Sequence, residues 1–328
     1  MTNSTSNTDI SIVIVNYKSW KHLRNCLLSL RFQNKEFSFQ TLVVDNNSSD
    51  GKLDVFRTEF PEVEFLENSG NNGFANGCNL GAKHALGKYI LFLNPDTIAN
   101  EEAIGKMWKF AKMNPTVGIV SCEQKKSGGG YEKNKRIFLN FYTLFGLTRA
   151  LYKSLNKQQL QNKFAEQATV LYPDWVSGSV VFMSKEWIEQ VDGWNEDYWM
   201  YYEDMDLCKR VEYANGKVAL LKDAEIIHDH GGASRLNIKT ASITKTEVQI
   251  SKHVYINNHF RGIGKLVGQL ILILNNCIVK LLLAILGVLL FFVPKMRLNV
   301  YLFLKLMRHY GSSLLRMSWL SKRSMNIK

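Results

Sequence analysis

Two adjacent acids in the run Trp199–Asp206, WMYYEDMD, are the strongest candidates for chemistry in this sequence. Glu203 and Asp204 open a stretch whose pattern predicts a helix, and a helix N-terminus stabilises ionised carboxylates. An ionised carboxylate beside aromatic rings, which can form the floor of a sugar site, is what a general base for a hydroxyl nucleophile requires. Acids at this position also serve as ordinary helix caps, so the catalytic interpretation needs support from elsewhere in the chain.

Two further acids follow predicted strands. Asp45 comes directly after Thr41–Val44, and Asp96 closes the Asn-Pro-Asp turn that follows Tyr89–Leu93. In an open α/β sheet, ligands bind beyond the carboxyl ends of the strands. There, Asp45 could accept hydrogen bonds from a nucleotide, and Asp96 could bind the Mg²⁺ or Mn²⁺ that neutralises a diphosphate. Either acid could instead be only a turn residue.

Glycines and histidines supply two weaker signals. The segment GNNGFANGCNLG has glycines at 70, 73, 77 and 81, which would let backbone N–H groups approach phosphate or simply let a helix pack closely. His228 and His230 are two residues apart after a predicted strand, so both could face a metal, or both could be structural. The first strand is followed by VNYKSWK without glycine, which argues against a nicotinamide-dinucleotide fold.

Buried-type strands alternate with helices through the first two thirds of the chain. This alternation predicts an α/β fold with an open, mostly parallel sheet flanked by helices. Residues 123–171 interrupt the rhythm, and we interpret them as an excursion over the active site on the acceptor side. The predicted strands are Ile10–Val15, Thr41–Val44, Val63–Leu66, Tyr89–Leu93, Val180–Met183 and Val218–Leu221; the predicted helices are Trp20–Leu30, Asn76–Ala85, Glu101–Met113 and Glu203–Ala214.

Charge is distributed unevenly along the 328 residues. The net charge is +12, but residues 234–328 carry 15 of the 41 Lys and Arg residues and only one acid, Glu247. That tail therefore holds +14, and the preceding body is close to neutral at −2. A composition of 46% hydrophobic and 21% charged residues excludes wholesale disorder. The five scattered cysteines argue against structural zinc and disulfides and suit a reducing compartment.

The basic tail also contains the apolar run Leu266–Val293, whose only charge is Lys280. Such a run is long enough to span a bilayer core of ~30 Å. Positive residues flank both ends, which favours both ends staying on the cytoplasmic side. We therefore favour a re-entrant or interfacial segment over a full span, with a buried core helix as the alternative.

A second helical pattern follows Pro294 and presents one polar, basic face. Such a helix is typical of one that lies on an anionic membrane surface, although it could also dock on the body. An RNA-binding tail is a rival interpretation, but no nucleic-acid motif supports it, so we expect no nucleic-acid partner. The N-terminus lacks the pattern of a secretory signal.

Taken in order, these motifs resemble the family 2 glycosyltransferases of the GT-A fold. The nearest resemblance is to the rhamnosyltransferase-like enzymes of cell-surface polysaccharide assembly. The resemblance covers most of residues 10–234 and leaves the tail outside. The segments that carry it are SIVIVNYKSWKHLRNCLLSL, TLVVDNNSSDG, NSGNNGFANGCNLGAKHALGKYILFLNPDT, DWVSG, DGWNEDYWMYYEDMDLC and AEIIHDHGGAS.

This resemblance implies roles for residues on the donor side. Asp45 would contact the pyrimidine, and Asn72 with Gly73 would lie near the ribose and diphosphate. Asp96 would be the metal-binding acid of the family's D-x-D site. Asn94 stands where many relatives have the first Asp of that motif, a departure that the rhamnosyltransferase-like subgroup shares.

The same resemblance implies roles on the catalytic side. Asp204 would be the base, Glu203 would support the acceptor hydroxyl, and His228 would bind metal or diphosphate. The Q-x-x-R-W signature of processive synthases is absent, which indicates transfer of a single sugar.

The expected protein is an inverting glycosyltransferase that uses Mg²⁺ or Mn²⁺ and a dTDP- or UDP-sugar, with dTDP-rhamnose implied by resemblance. Residues 1–234 would form the catalytic domain and 235–328 a membrane-associating tail. The acceptor would be a saccharide or a polyprenyl-diphosphate-linked saccharide at the cytoplasmic face of the plasma membrane. A non-catalytic nucleotide-sugar-binding protein on the same fold is the alternative.

Overall fold

A computed structural model describes residues 8–33, 36–165, 167–229 and 238–327. Within these residues the strands form one sheet, and the helices surround it or follow it in the chain. The strands are β1 (Ile10–Asn16), β2 (Phe39–Asp45), β3 (Val63–Glu67), β4 (Tyr89–Leu93), β5 (Thr97–Ala99), β6 (Val117–Lys126), β7 (Val170–Leu171), β8 (Val180–Ser184) and β9 (Lys217–His228).

The helices of the first two thirds of the chain connect these strands, and three long helices follow the last strand. They are α1 (Trp20–Leu30), α2 (Leu53–Glu59), α3 (Phe74–His84), α4 (Ala103–Met113), α5 (Gly146–Leu155), α6 (Lys157–Lys163), α7 (Lys185–Gln190), α8 (Glu203–Tyr213), α9 (Ile238–His259), α10 (Gly262–Leu289) and α11 (Pro294–Arg316). A short 3₁₀ helix covers Phe141–Thr143.

The sheet has the order β3-β2-β1-β4-β8-β6-β9-β5, and β7 pairs with β9. Strands β3, β2, β1 and β4 are parallel to one another. Both β4 and β6 pair antiparallel with β8, so β6 runs in the same direction as β4, and β9 is parallel to β6. The carboxyl ends of β1, β2, β4, β6 and β9 therefore point to one edge. This arrangement confirms the predicted α/β class with a mostly parallel central sheet.

The strand at the centre of the parallel set, β1, is mostly apolar and is buried along its whole length. All seven residues of β1 are buried, as its run of β-branched residues predicts for a strand covered on both faces. The core around it includes Leu23 and Leu27 of α1, and Ile104 and Met107 of α4. Because the strands are packed in this core, the backbone of the polar residues at their carboxyl ends is held in place.

Contacts between Cα atoms divide the chain into two compact units. The first unit comprises residues 1–138, 157–195 and 203–233, and it holds the sheet. The second comprises 139–156, 196–202 and 234–328, and it holds α9, α10 and α11. The basic tail thus clusters with two segments that precede it in the sequence.

Within the second unit, α10 and α11 pack side by side. A Cβ atom at Gly287 would lie 2.4 Å from the carbonyl oxygen of Met296, so only glycine permits this close approach. Pro294 begins α11, where its fixed φ suits the first helical turn. Among the described residues, α10 alone is long and apolar enough to cross a membrane, and 22% of its most apolar window is buried.

Candidate active site

Asp45 ends β2 with its carboxylate almost completely buried, 3% exposed. Its Oδ1 accepts hydrogen bonds from Asn16 Nδ2 at 3.0 Å and from Ser48 Oγ at 2.5 Å. Its Oδ2 accepts one from the Ser48 backbone N–H at 2.8 Å. Parallel pairing sets Asp45 beside Asn16, the last residue of β1. Three donors hold the carboxylate in place, and Oδ2 keeps further acceptor capacity for a ligand.

Side-chain amides next to Asp45 form a network that reaches Asn72 and Gly73. Asn68 Nδ2 donates to Asn46 Oδ1 at 2.9 Å and to Asn76 Oδ1 at 2.7 Å. Asn72 Nδ2 donates to Asn68 Oδ1 at 3.0 Å, and Asn46 Nδ2 donates to the Gly73 carbonyl at 2.9 Å. The network therefore ties the loop before α3 to the end of β2.

The glycines of this segment have two different roles. Gly73 precedes α3 with φ +95°, a conformation that favours glycine. Gly77 and Gly81 lie inside α3, where a Cβ would come within 2.7 Å of Val15 and 2.3 Å of Val13. Because these two glycines have no side chain, α3 can pack closely against β1. This agrees with the second interpretation given above, that the glycines let a helix pack closely.

The Asn-Pro-Asp turn places Asp96 next to the end of β9. The Asn94 carbonyl accepts hydrogen bonds from the Thr97 backbone N–H and from its Oγ1, and the Asn94 N–H donates to the Ser179 carbonyl. Thr97 pairs in register with His228 where β5 and β9 run antiparallel. As a result His228 Nε2 lies 3.3 Å from Asp96 Oδ1.

The imidazole of His228 is 2% exposed and is bonded on both sides. Its Nδ1 lies 2.9 Å from Gln124 Oε1 and 3.0 Å from Glu132 Oε1. Burial lowers the pKa of His228, but hydrogen bonds to Asp96 and Glu132 and their negative charges outweigh it and raise the pKa to about 9. In the absence of a cation, the two neighbouring carboxylates thus favour the protonated form of His228.

Asp96 and His228 are spaced as two neighbouring ligands of a divalent cation would be. Neighbouring ligand atoms of an octahedral ion with bonds of about 2.1 Å lie about 3 Å apart, close to the observed spacing. A carboxylate oxygen and an imidazole nitrogen are also acceptable ligands together for Mn²⁺. Among the described residues no group of three or more His, Cys, Asp or Glu side chains is arranged to hold a metal. His230, the other predicted histidine, lies outside the described residues.

Glu203 and Asp204 occupy the first turn of α8, as the sequence predicts. Asp204 Oδ1 accepts a hydrogen bond from the Met205 N–H at 2.8 Å, and Oδ2 accepts one from the Gly178 N–H at 3.2 Å. Glu203 Oε2 is buried and has no hydrogen-bond partner among the described residues. The two neighbouring carboxyl groups therefore lie in different surroundings.

Burial raises the pKa of both acids, which is opposite to the direction expected from the helix dipole alone. For Glu203 the Asp204 charge adds to burial and raises its pKa well above the usual range. For Asp204 the positive charge of Arg136 and the backbone donors act against burial. The surroundings thus favour the neutral acid more strongly at Glu203 than at Asp204, the direction that would separate acid and base roles within the pair.

The residues before α8 adopt an uncommon backbone conformation. Tyr201 and Tyr202 have φ values of +72° and +68°, in the left-handed region that bulky residues rarely occupy. Within the second unit, Cζ of the Arg323 guanidinium lies 5.2 Å from the centre of the Trp199 ring. The ring centres of Tyr202 and Tyr255 are 5.9 Å apart. Strain of this kind persists only where surrounding contacts enforce it. The role of these rings as a sugar floor stays a prediction.

Sequence reasoning missed Gln124, Glu132 and Arg136. Arg136 Nη2 donates to Glu132 Oε2 at 3.0 Å, and its guanidinium lies 4.4 Å from the centre of the Trp175 ring. All three fall in the predicted excursion 123–171, in which the sequence shows no strand or helix pattern, although the structure places Gln124 on β6. The only sequence signal was the GGG turn before Glu132, which predicts a sharp reversal of the chain.

Comparison with known protein families places this geometry in context. The family model "Glycosyl transferase family 2" matches residues 11–176, half of the chain, and a model described as "N-terminal domain of galactosyltransferase" matches residues 163–230. The chain belongs to glycosyltransferase family 2, as the sequence motifs predict, and is a glycosyltransferase.

Curated relatives agree with this assignment. The low-salt glycan biosynthesis hexosyltransferase Agl10 of Haloferax volcanii is 26% identical over 67% of this chain and 67% of its own length. Rhamnosyltransferase WbbL of Escherichia coli is 23% identical over 67% and 83%, respectively. The N-acetylglucosaminyl-diphospho-decaprenol L-rhamnosyltransferase of Mycobacterium tuberculosis is 24% identical over 67% and 76%.

A solved structure supports the fold. The structure of GalNAc-T7 with UDP, GalNAc and Mn²⁺ matches with a TM-score of 0.52 at 12% identity, over 74% of this chain and 48% of that one. At this level of identity the likeness concerns the fold alone.

Proposed function

We propose that this protein transfers one sugar from a dTDP- or UDP-sugar, with dTDP-rhamnose as the first candidate, to a hydroxyl of a saccharide acceptor with inversion. The observation that carries the proposal is that Asp96 and His228 meet at one sheet edge while two backbone N–H donors, in the same structural unit, orient the carboxyl group of Asp204. Two relatives named as rhamnosyltransferases support the choice of sugar.

The donor would bind along the carboxyl edge of β2 and β4. Asp45, fixed by Asn16 and Ser48, would accept a hydrogen bond from the pyrimidine through Oδ2. Asn72 and Gly73, tied to Asp45 through the amide network, would lie near the ribose and diphosphate. Asn94 and Asp96 would face the diphosphate from the neighbouring strand end.

Asp96 and His228 would hold the divalent cation, Mg²⁺ or Mn²⁺. When bound, such a cation supplies positive charge that stabilises the departing nucleotide diphosphate. The proximity of Asp96 Oδ1 and His228 Nε2 supports this assignment. The comparison structure contains Mn²⁺ with UDP, which is consistent with it.

Asp204 would act as the general base. Its backbone donors at Met205 and Gly178 hold the carboxylate in one orientation, and the Arg136 charge favours its ionised form. It would accept the proton of the acceptor hydroxyl as that oxygen attacks the anomeric carbon. Burial and the Asp204 charge raise the pKa of Glu203, so its protonated form would donate a hydrogen bond to the acceptor.

The second unit supports a membrane-linked acceptor. On α10 the polar residues Gln269 and Asn276 are buried and bonded to His253 and Tyr310, respectively. Its exposed face is apolar instead, from Ile263 through Leu266, Leu270, Leu274, Ile278, Leu282 and Leu289. The helix therefore buries polar side chains and exposes apolar ones. A lipid environment stabilises this arrangement, whereas water does not.

We infer from this arrangement that α10 and the turn to α11 enter the cytoplasmic leaflet and that both ends return to the cytoplasmic side. Basic residues around the apolar face, including Arg261, Lys265, Lys295 and Arg297, suit anionic headgroups. The acceptor would then be a polyprenyl-diphosphate-linked saccharide. The relative that acts on a decaprenol-linked sugar is consistent with this choice.

A donor screen tests the activity. Purified full-length protein, Mn²⁺ and a synthetic polyprenyl-diphosphate saccharide are incubated with dTDP- and UDP-sugars, and release of the nucleotide diphosphate is measured. Acceptor-dependent release with one donor and an inverted anomeric product support the proposal. Binding of a nucleotide sugar without release on any acceptor of the panel would favour the non-catalytic alternative.

A further inference from the structure

The Nδ1 atom of His228 faces two hydrogen-bond acceptors, and this fixes where the imidazole carries its proton. The Glu132 carboxylate can only accept, and Gln124 Oε1 already accepts from Ser179 Oγ at 2.7 Å. Nδ1 must therefore be the N–H donor. In the neutral imidazole the lone pair then lies on Nε2, the atom that faces Asp96.

Glu132 is itself held by two independent contacts. Its backbone N–H donates to the Gln124 carbonyl at 2.8 Å, which aligns it with the end of β6. Its Oε2 accepts from Arg136 Nη2 at 3.0 Å, while its Oε1 faces His228. The two carboxylate oxygens are thus committed to different partners, and the side chain is only 10% exposed.

A tight turn brings Glu132 back to β6. Gly129 and Gly130 have φ values of +90° and +74°, and the Gly130 carbonyl accepts from the Lys126 N–H at 2.9 Å. Lys125 and Tyr131 then pair across the turn as a β-bridge. The hairpin built from residues 122–132 delivers a carboxylate to the side of His228 that is opposite to Asp96.

We propose that Glu132, clamped by Arg136, is a positioning residue for His228 that presents the Nε2 lone pair to a divalent cation shared with Asp96. The inference rests on the proposed cation site. Carboxylate partners of this kind fix the orientation and tautomer of a histidine ligand and make it a better donor to the metal. Loss of such a partner typically lowers metal affinity by ~10–100-fold.

The test measures Mn²⁺ binding to full-length protein with saturating nucleotide diphosphate, in two ways. Calorimetry gives the dissociation constant, and electron spin-echo spectroscopy of bound Mn²⁺ detects ¹⁴N coupling from a directly bound imidazole. Glu132→Ala should weaken Mn²⁺ binding by ~10–100-fold and remove or reduce the nitrogen signal. Glu132→Gln, which keeps an acceptor oxygen, should restore most of both.

The matched control is Glu225→Ala. Glu225, on the neighbouring strand β9, accepts a hydrogen bond from Tyr131 Oη at 2.9 Å and lies 3.8 Å from Lys125. Its loss therefore removes a carboxylate that contacts the same hairpin, at Tyr131 and Lys125 and not at the His228 imidazole. We expect wild-type affinity and wild-type nitrogen coupling in this control. If Glu132→Ala does not fold, Glu132→Met removes the acceptor at similar side-chain length and carries the same expectation.

The outcomes distinguish the inference from the proposed cation site. Wild-type protein that binds Mn²⁺ with nitrogen coupling, together with unchanged values in Glu132→Ala or Glu132→Met, would overturn the role of Glu132. Wild-type protein with no Mn²⁺ binding, or with binding that lacks nitrogen coupling, would remove His228 from the site and the inference with it. An equal loss in Glu225→Ala would reduce the effect to general damage of the hairpin.

Discussion

Asp96 and His228 lie 3.3 Å apart because β5, which begins at the residue after Asp96, pairs with the end of β9, Thr97 opposite His228. The sheet register therefore brings the turn that holds Asp96 to His228. A one-residue slip between β5 and β9 would turn His228 to the other face of the sheet. The register of an edge pair only three residues long therefore determines whether the proposed cation site exists.

The first prediction concerns the base. Asp204→Asn should leave donor affinity within about threefold of wild type and lower turnover by ~10²–10⁴, the usual contribution of a general base. Turnover is measured with saturating donor and acceptor, and donor affinity by calorimetry. The control is Asp54→Asn, which removes the charge of an acid in the first turn of α2. The Asp54 side chain is exposed to solvent, so this variant should behave as wild type. A turnover near wild type in folded Asp204→Asn would exclude Asp204 as the base.

A comparison within the acid pair refines this test. Glu203→Gln replaces the side chain with an amide of similar shape that can donate a hydrogen bond, as the neutral acid favoured by the raised pKa of Glu203 would. We expect a smaller loss of turnover than in Asp204→Asn. The reverse order would indicate that Glu203, and not Asp204, removes the proton.

The second prediction concerns the cation. Asp96→Ala should abolish the part of donor affinity that depends on Mn²⁺, because the diphosphate loses its counter-ion. Calorimetric titration of Mn²⁺ in the presence of nucleotide diphosphate measures the effect. Asp223→Ala, an exposed acid on β9, is the control. An unchanged isotherm in Asp96→Ala would move the cation to other ligands.

The third prediction concerns pH and the second unit. Burial lowers the pKa of His253 to about 4, with the Gln269 hydrogen bond opposing this effect. The unfolded chain takes up a proton below about pH 6.5 while the folded chain does not until about pH 4. The contribution of His253 to the free energy of unfolding is therefore fully present above pH 6.5. It falls by about 3 kcal/mol as the pH drops to 4.

Urea unfolding of wild type and His253→Gln between pH 7 and pH 4 isolates this contribution. The difference in unfolding free energy between the two proteins should shrink or change sign toward low pH, since the variant lacks the titrating group. Trp319 stacks on His253 with ring centres 4.7 Å apart, so tryptophan fluorescence can follow the transition of this unit. A pH-independent difference would mean that His253 titrates alike in both states.

The fourth prediction concerns the membrane. Phe291→Asp with Phe292→Asp changes two rings that are 66% and 67% exposed at the turn between α10 and α11. Burying a Phe side chain contributes ~1.5–3 kcal/mol, so the double change should lower partitioning into anionic vesicles by at least ~10-fold. Vesicle flotation with and without nuclease measures it and also tests the rival RNA interpretation.

Leu86→Asp serves as the control for a single exposed apolar residue on the first unit, 67% exposed. It should float as the wild type does. Undiminished flotation of the double variant would exclude the turn as the part that enters the membrane.

The sequence was sufficient for much of the body. Runs such as ISIVIV can be satisfied only by burial on both faces, so β1 and its neighbours follow from the pattern. The positions of Asp45, Asp96 and Glu203 beside a strand end or at a helix start could be predicted because strand ends and helix starts are local features; their roles stay predictions. The structure gives Lys217–His228 as one long strand, against the predicted Val218–Leu221, because alternating polar residues extend β9 along β6.

Long-range features were not accessible in this way. Glu132 meets His228 only because a glycine turn and a strand register coincide, and neither partner marks the other in the sequence. Likewise, Ser251 Oγ donates to the Met200 carbonyl and Ser324 Oγ to the Glu196 carbonyl, so the tail packs with residues 196–202 within the second unit. The charge distribution alone suggests that the chain could be truncated after Ser234. Such a truncated chain would lose the hydrogen bonds that Ser251 and Ser324 make to residues 196–202.

The four amides Asn46, Asn68, Asn72 and Asn76 have a consequence for the conditions under which the donor is recognised. Amide side chains neither gain nor lose protons over the range in which proteins are folded. The hydrogen bonds that tie the loop before α3 to the end of β2 therefore keep the same donors and acceptors in acid and in alkali. Any acidity dependence of nucleotide capture must therefore arise outside this amide network.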